Sequence, residues 1–410
     1  MTVYSLAAGK WRLPDFNEAE ARSSVSQLLG RLQEHLPIHL LYDREGVDTN
    51  REGAAMAAAG AILPAGQHLT DTPGLRAGIA VRHRSRQVVT AIQMPNSQLA
   101  LASWRVNADG SVIQTGASGP QPDQVAQVDL ARAGKFVVAY RSTTQQLKLV
   151  SWDVSNTGAI YRAGESELWP ERIRRVRLCT VSDQLLVTAC ITRNRRLKLI
   201  SWRLGSDASL APCAEVSGGA LDVREVAAVV VAQGDGYSFV AAATRVDAGQ
   251  LGIQVWRVNP EGIFSPAAQM IAPAAVTHLQ AIVDEHNHLI TAMRTATGGL
   301  RLIGWQLAGD GEALTPLFDS GEEIEAIRNY RMLPVPGGMV TAVATGTGQI
   351  KLTRWQVTAA GALRRLVESQ AEPAPIGPFF FCAESLDGNA PLFAGLSTPQ
   401  GLFQIRTWRM

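Results

Sequence analysis

The chain has 410 residues, 46% hydrophobic and 18% charged, with 37 glycines and 20 prolines. Its 38 lysines and arginines stand against 36 aspartates and glutamates, a net charge of +2, which excludes a globally basic nucleic-acid coat while leaving room for a local patch. Four cysteines without paired spacing exclude a disulfide scaffold and a cysteine-based zinc finger. No apolar run approaches the ~18 residues of a membrane-spanning helix. Met1–Leu13 holds no apolar stretch of signal-peptide length, so a cytoplasmic location is expected, with signal-independent export left open.

In chain order, residues 1–55 read as an extension outside the repeating part. Asn17–Leu36 is expected to be helical, because Val25, Leu28, Leu29, Leu32 and Leu36 fall on one face at three- and four-residue spacing. Asp15 or Asn17 suits its cap, and Pro14 and Pro37 bracket it. Ile38–Tyr42 is a short apolar run, and Asp43–Glu52 is a polar linker. The helix either docks on the rest of the chain or recruits a partner, and Trp11 suits either role.

From residue 56 to 410 the sequence repeats. Seven tryptophans, Trp104, Trp152, Trp202, Trp256, Trp305, Trp355 and Trp408, recur at intervals of 48, 50, 54, 49, 50 and 53 residues. Thirteen residues before each stands a small residue: Ala91, Ala139, Ala189, Ala243, Ala292, Ala342 and Gly395. Five before it stands an apolar one, and six after it Gly110, Gly158, Gly262, Gly311 or Gly361, with Ala208 in the third copy. Each copy reads as four short strands; in the third they are Val176–Val181, Leu185–Ile191, Leu197–Leu204 and Leu210–Val216, with period-two alternation. Asp109-Gly110 and Asp310-Gly311 are favoured hairpin closers. Seven such units are the arithmetic of an all-β, seven-bladed β-propeller. The last copy stops two residues past Trp408 and lacks its fourth strand, so Ala61–Leu69 is expected to supply it and close the ring. The tryptophans are expected to pack the blades.

In a four-stranded meander the second-to-third turns and the inter-blade loops share one face, and the inter-blade loops here are the long ones. That face and the mouth of the central channel are therefore the expected site. Arg141, Arg245 and Arg294 each lie two residues past the small residue, where they would converge on an anionic ligand from three blades, or else pair between blades. The third blade carries nine basic residues between Glu171 and Arg203 against two acidic ones. Among them Arg174, Arg175, Arg193 and Arg195 fall in loops of the candidate face, with Trp169 alongside. Such a cluster suits an acidic protein or a carboxylated or phosphorylated ligand. Asp319, Glu322, Glu323 and Glu325 would make the same face bipolar. Asp284, His286 and His288 are the one cluster of metal-ligand types and read as a polar hairpin tip, so no metal is expected. No nucleophile elbow, zinc helix, phosphate loop or dinucleotide fingerprint is present, and no cofactor is expected.

The Trp-centred copies resemble the seven-bladed propellers over about residues 57 to 410, a likeness that carries fold and not function. WD-repeat proteins are similar in repeat length, but Trp152-Asp153 is the single copy of their Trp-Asp pair. The paired glycines of kelch blades do not recur, and neither does the Arg and Glu set that propeller lectins would imply. The first functional expectation is a non-catalytic recognition module that binds a protein partner or an anionic ligand on the long-loop face. The second is an enzyme, a hydrolase, lyase or cyclase, with a multi-blade site at the channel mouth and a small anionic substrate. The third is a carbohydrate-binding propeller. Nucleic acid and membrane are not expected partners.

Overall fold

Each Trp-centred repeat folds into one antiparallel four-stranded sheet in simple meander order. The computed structural model describes residues 62–409 apart from 74–76, 85, 220–221, 235, 247–248, 274, 323–324, 374–378, 384–390 and 398–401. The chain divides into Met1–Met56 and Ala57–Met410, and the expected helix over Asn17–Leu36 lies outside the described residues. Among the described residues no helix is long and apolar enough to cross a membrane.

The strands nearest the ring axis are Ala77–Arg84, Val125–Arg132, Ile173–Ser182, Val223–Gly234, Val276–Val283, Ile327–Val335 and Phe379–Ala383, in blades one to seven. Blade three follows the sequence pattern closely, with strands Ile173–Ser182, Leu185–Thr192, Leu197–Leu204 and Leu210–Ser217. The seventh sheet takes its outer strand from the other end of the propeller. Leu63–Pro73 pairs antiparallel with Leu402–Arg409, placing Leu63 opposite Arg409 and His68 opposite Ile405. The ring thus closes without leaving the last strand as a bare edge.

The seven tryptophan rings are buried, from 0% exposed at Trp408 to 5% at Trp355. Each is shared between blades: Trp202 of blade three sits in one apolar cluster with Val137, Ala139 and Leu149 of blade two. In four blades a threonine fourteen residues earlier accepts the indole N–H, as at Trp104–Thr90 (3.0 Å), Trp202–Thr188 (2.9 Å), Trp305–Thr291 (2.9 Å) and Trp355–Thr341 (3.0 Å). Trp408 donates instead to Glu372 Oε1 at 2.8 Å. Blade two has Val138 in the threonine position, and Trp152 Nε1 is buried with no partner among the described residues.

Both faces of the ring are laced from blade to blade. On the long-loop face, the first N–H of an incoming inner strand bonds the second-to-third turn of the preceding blade. Val125 N donates to Ser97 O and Ile173 N to Gln145 O, both at 2.7 Å; Val223 N donates to Arg195 O and Ile327 N to Gly298 O, both at 2.8 Å. Those hydrogen bonds bring the inter-blade loops and the second-to-third turns together on one face. On the opposite face, the hydroxyl before the tryptophan donates to the outer hairpin of the next blade. The pairs are Ser103–Gly158 O (2.6 Å), Ser151–Ala208 O (2.7 Å), Ser201–Gly262 O (2.7 Å) and Thr407–Gly110 O (2.6 Å). The last crosses the closure seam. The hairpin residue that accepts is held at positive φ, +85° at Gly110 and +68° at Ala208, which explains the recurring glycine.

Candidate functional site

The inner strands turn one hydrogen-bonding edge toward the channel. In blades two to six each of them has a bulge at the same place: between Val125 and Gln127, Ile173 and Arg175, Val223 and Glu225, Val276 and His278, and Ile327 and Asn329. A bulge re-aims the side chains that follow it. Two tiers follow in common register. Gln127, Arg175, Glu225, His278 and Asn329 form the outer tier, opposite Arg141, Ile191, Arg245, Arg294 and Ala344 of the second strands. Asp129, Arg177, Ala227, Gln280 and Arg331 form the deeper tier, opposite Ala139, Ala189, Ala243, Ala292 and Ala342. The small residue of the repeat is therefore the cross-strand partner of the channel residue.

Several tier residues satisfy the free strand edges. Gln127 Nε2 donates to Val176 O at 2.9 Å, and its Oε1 accepts from Val176 N at 3.3 Å. Asp129 Oδ2 accepts from Leu178 N at 2.8 Å and Oδ1 from Leu130 N at 3.1 Å. Gln280 does the same between blades five and six, with Tyr330 O and Met332 N each at 2.9 Å. Burial raises the Asp129 pKa above its ordinary value, against the pull of Arg177 and of these N–H groups.

Arg331, in the deeper tier with Arg177, is part-buried. Its guanidinium donates to Tyr330 O at 2.9 Å and to Asn329 Oδ1 at 3.3 Å, and lies 5.6 Å from the Phe379 ring centre. Among the described residues no carboxylate comes within ion-pair distance of it. Burial, and then the charge of Arg177, lower its pKa to about 10. In the outer tier Glu225 Oε1 lies 2.5 Å from His278 Nδ1, and Glu225 Oε2 lies 3.9 Å from Arg245 Nε. Burial works against the Glu225 charge, but His278, Arg177 and Arg245 outweigh it and hold the carboxyl below its ordinary range. His278 meets the Tyr330 ring edge-on at 5.2 Å. The inner-strand tiers carry Arg175, Arg177 and Arg331 against Asp129 and Glu225, with Arg141 and Arg245 as the cross-strand partners of Gln127 and Glu225.

The residues expected from sequence take several positions. Arg141 lies opposite the outer-tier Gln127; burial and then the charge of Arg175 lower its pKa, and its Nε is buried without a partner among the described residues. Arg245 stands by Glu225 in its own blade. Arg294 points between blades, its Nε donating to Ile327 O at 2.7 Å, and Gln93 makes the equivalent bond to Val125 O at 2.7 Å in blade one. Arg174 and Arg193 are exposed on the loop face, with Arg174 Nε bonded to Arg193 O at 3.0 Å, while Arg195 pairs with Asp222 at 3.1 Å. Trp169 packs edge-on to Trp202 at 5.7 Å in the apolar cluster of blades two and three. Of the acidic loop, Glu325 pairs with Lys351 at 2.8 Å, Asp319 pairs with Arg301, and Glu322 accepts from Thr295 and Thr297. Asp284 closes its hairpin by accepting from His286 N (2.9 Å), from His288 N (2.8 Å) and at the His288 ring (2.9 Å). No group of metal-ligating side chains occurs among the described residues. A cleft of about 580 Å³ lies between His68, Ile92, Met94, Trp104 and Phe403 at the closure seam; among the described residues His68 is the one titratable side chain in its lining.

Asp129, Arg177, Glu225, His278 and Arg331 escape a reading by fixed offset. The deeper-tier residue precedes its small partner by 10, 12, 16, 12 and 11 residues in blades two to six, because the first hairpin varies in length. The usable signal is a polar residue inside an otherwise apolar first strand.

No family profile matches the chain, and no curated protein matches it. Among solved structures it is similar to a Bacteroides fragilis protein assigned as a 6-phosphogluconolactonase. The TM-score is 0.54 at 14% identity, over 82% of this chain and 91% of that one, a likeness of fold.

Proposed function

We propose that this propeller binds a small, multiply charged anion, a carboxylate or phosphate ester, in the funnel at the long-loop end of its channel. The observation that carries the reading is Arg331, part-buried in the tier that also holds Arg177, with no carboxylate at ion-pair distance among the described residues. A part-buried guanidinium on which Glu225 and Asp129 act only from beyond ion-pair distance is costly to keep, and an anion bound by guanidinium groups of the tier offsets that cost through charge-assisted, bidentate hydrogen bonds. Titration calorimetry of the full chain against citrate, inorganic phosphate and a sugar phosphate tests it. Binding of at least one is expected, weakened about tenfold or more in Arg331→Met and in Arg177→Met. No heat with any of the three, or equal affinity in both variants, would overturn the reading.

A second reading, turnover of the bound anion, is favoured by the Glu225–His278 contact in the same funnel, where a carboxylate orients an imidazole at 2.5 Å. The named activity of the Bacteroides fragilis neighbour is compatible with it. His278→Gln would then abolish turnover of a sugar-phosphate lactone while leaving calorimetric binding in place. Absence of turnover by the unaltered chain removes this reading and leaves the binding one.

A further inference from the structure

Beside the funnel, blade three carries a basic ridge that the anion site does not use. Arg172 and Arg174, entering the inner strand, and Arg193 and Arg196, in the second-to-third turn, are all exposed. The two segments are locked together: Arg193 N donates to Arg172 O at 2.9 Å and Arg174 Nε to Arg193 O at 3.0 Å, while Arg196 N closes the turn on Thr192 Oγ1 at 3.1 Å. Nearby carboxylates are already engaged. Glu171 and Glu215 hold Lys198 at 2.6 and 3.2 Å, and Asp222 holds Arg195 at 3.1 Å. Among the described residues the four exposed arginines have no ion pair, and Glu167 is the exposed carboxylate left on the adjoining loop. The same loop raises Leu168, a large apolar side chain 50% exposed.

We propose that this ridge is a docking surface for an acidic polypeptide segment that carries an apolar anchor. Fixed guanidinium groups suit carboxylates in pairs, and arginine, unlike lysine, is enriched at interfaces because it loses less on desolvation. The one lysine here, Lys198, is spent internally on Glu171 and Glu215, as Arg195 is on Asp222. An exposed leucine flanking the charges suits a peptide side chain, whereas single-stranded nucleic acid would call for an exposed aromatic platform; Trp169, the ring on this loop, is turned into the core against Trp202.

The test uses the full chain and a fluorescent peptide of alternating glutamate and leucine, read by anisotropy at low and moderate salt. The glutamine version of the peptide and single-stranded DNA of equal charge serve as competitors. Expected is saturable binding of the acidic peptide that falls with salt, is not displaced by the glutamine peptide, and weakens about tenfold or more when Arg172, Arg193 and Arg196 are each changed to Glu. That triple variant should keep the unaltered chain's melting temperature and its affinity for citrate or phosphate in the funnel, so failure of the ridge and failure of the funnel are read separately. Equal peptide binding by the triple variant, no binding by the unaltered chain, or tighter binding of the DNA than of the peptide would each overturn the proposal.

Discussion

Ala208 occupies the turn position that is glycine in every other copy with a complete outer hairpin, and it holds the same left-handed conformation, φ +68°. A side chain there costs about 1 kcal/mol in the folded state, partly offset by the smaller entropy the chain loses on folding. Ala208→Gly is therefore expected to raise stability by a few tenths to about 1 kcal/mol, measured as the midpoint of urea unfolding; a lower midpoint would refute the strain. The carbonyl of Ala208 still accepts from Ser151, so the blade-to-blade bond survives the change. At this scale the sequence was readable where a residue plays the same part in every copy. The tryptophans, the alanines opposite the channel and the turn glycines were all visible, because packing and φ impose one residue type at one offset. Arg177 and Arg331 were not, because charge at the channel varies from blade to blade and obeys no such rule.

Among the strands, Leu63–Pro73 carries the heaviest duty. It covers the outer edge of Leu402–Arg409 and lies next to the seam that Thr407 bonds to Gly110. Removing Ala61–Leu69 leaves Leu402–Arg409 with an unpaired edge and takes the outer wall from blade seven. Loss of a cooperative thermal transition by circular dichroism is expected, whereas deletion of residues 1–50 should leave the transition where it was. A sharp melt of the first deletion near that of the intact chain would show that the ring holds without its clasp. The need for this strand was evident from a repeat count one strand short. The bulge was not evident: it arises from strand register, which hydrophobic alternation reports only to within a residue. The serine bond between blades is likewise uneven. Blades four to six have Val255, Gly304 and Arg354 before the tryptophan, and at Gly304 the Phe318 ring fills the space a side chain would need.

Over the whole molecule the funnel couples neighbouring blades through charge, and this makes the stability of the ring sensitive to acid. Glu225 belongs to blade four and His278 to blade five. The Glu225 carboxyl titrates below its ordinary 4.5 in the fold despite its burial, because His278 and nearby arginines favour the ionised form. A depressed native value contributes stability that is fully present above the unfolded value and is lost as pH falls through the native one. Glu225→Gln should therefore flatten the fall of melting temperature below about pH 4.5 relative to the unaltered chain. An identical slope in the two proteins would place the acid sensitivity elsewhere. Asp129, whose value is raised by burial, acts in the opposite sense, destabilising the ring as pH climbs above its ordinary 3.8.

The bulge shared by five inner strands has an evolutionary consequence. Because blades two to six present their tier residues in a common register, an exchange at a polar tier position alters the chemistry of the funnel and leaves the lacing of the two faces in place. Where a tier side chain also bridges to the next strand, as Gln127, Asp129 and Gln280 do, that freedom is curtailed. Where it does not, as at the exposed Arg175, the position is open to drift, whereas Ala227 packs into the apolar cluster around Trp305 and is held. On the anion-binding reading proposed above, a propeller of this design would change its ligand one spoke at a time, as a combination lock is reset wheel by wheel, with the frame left in place throughout.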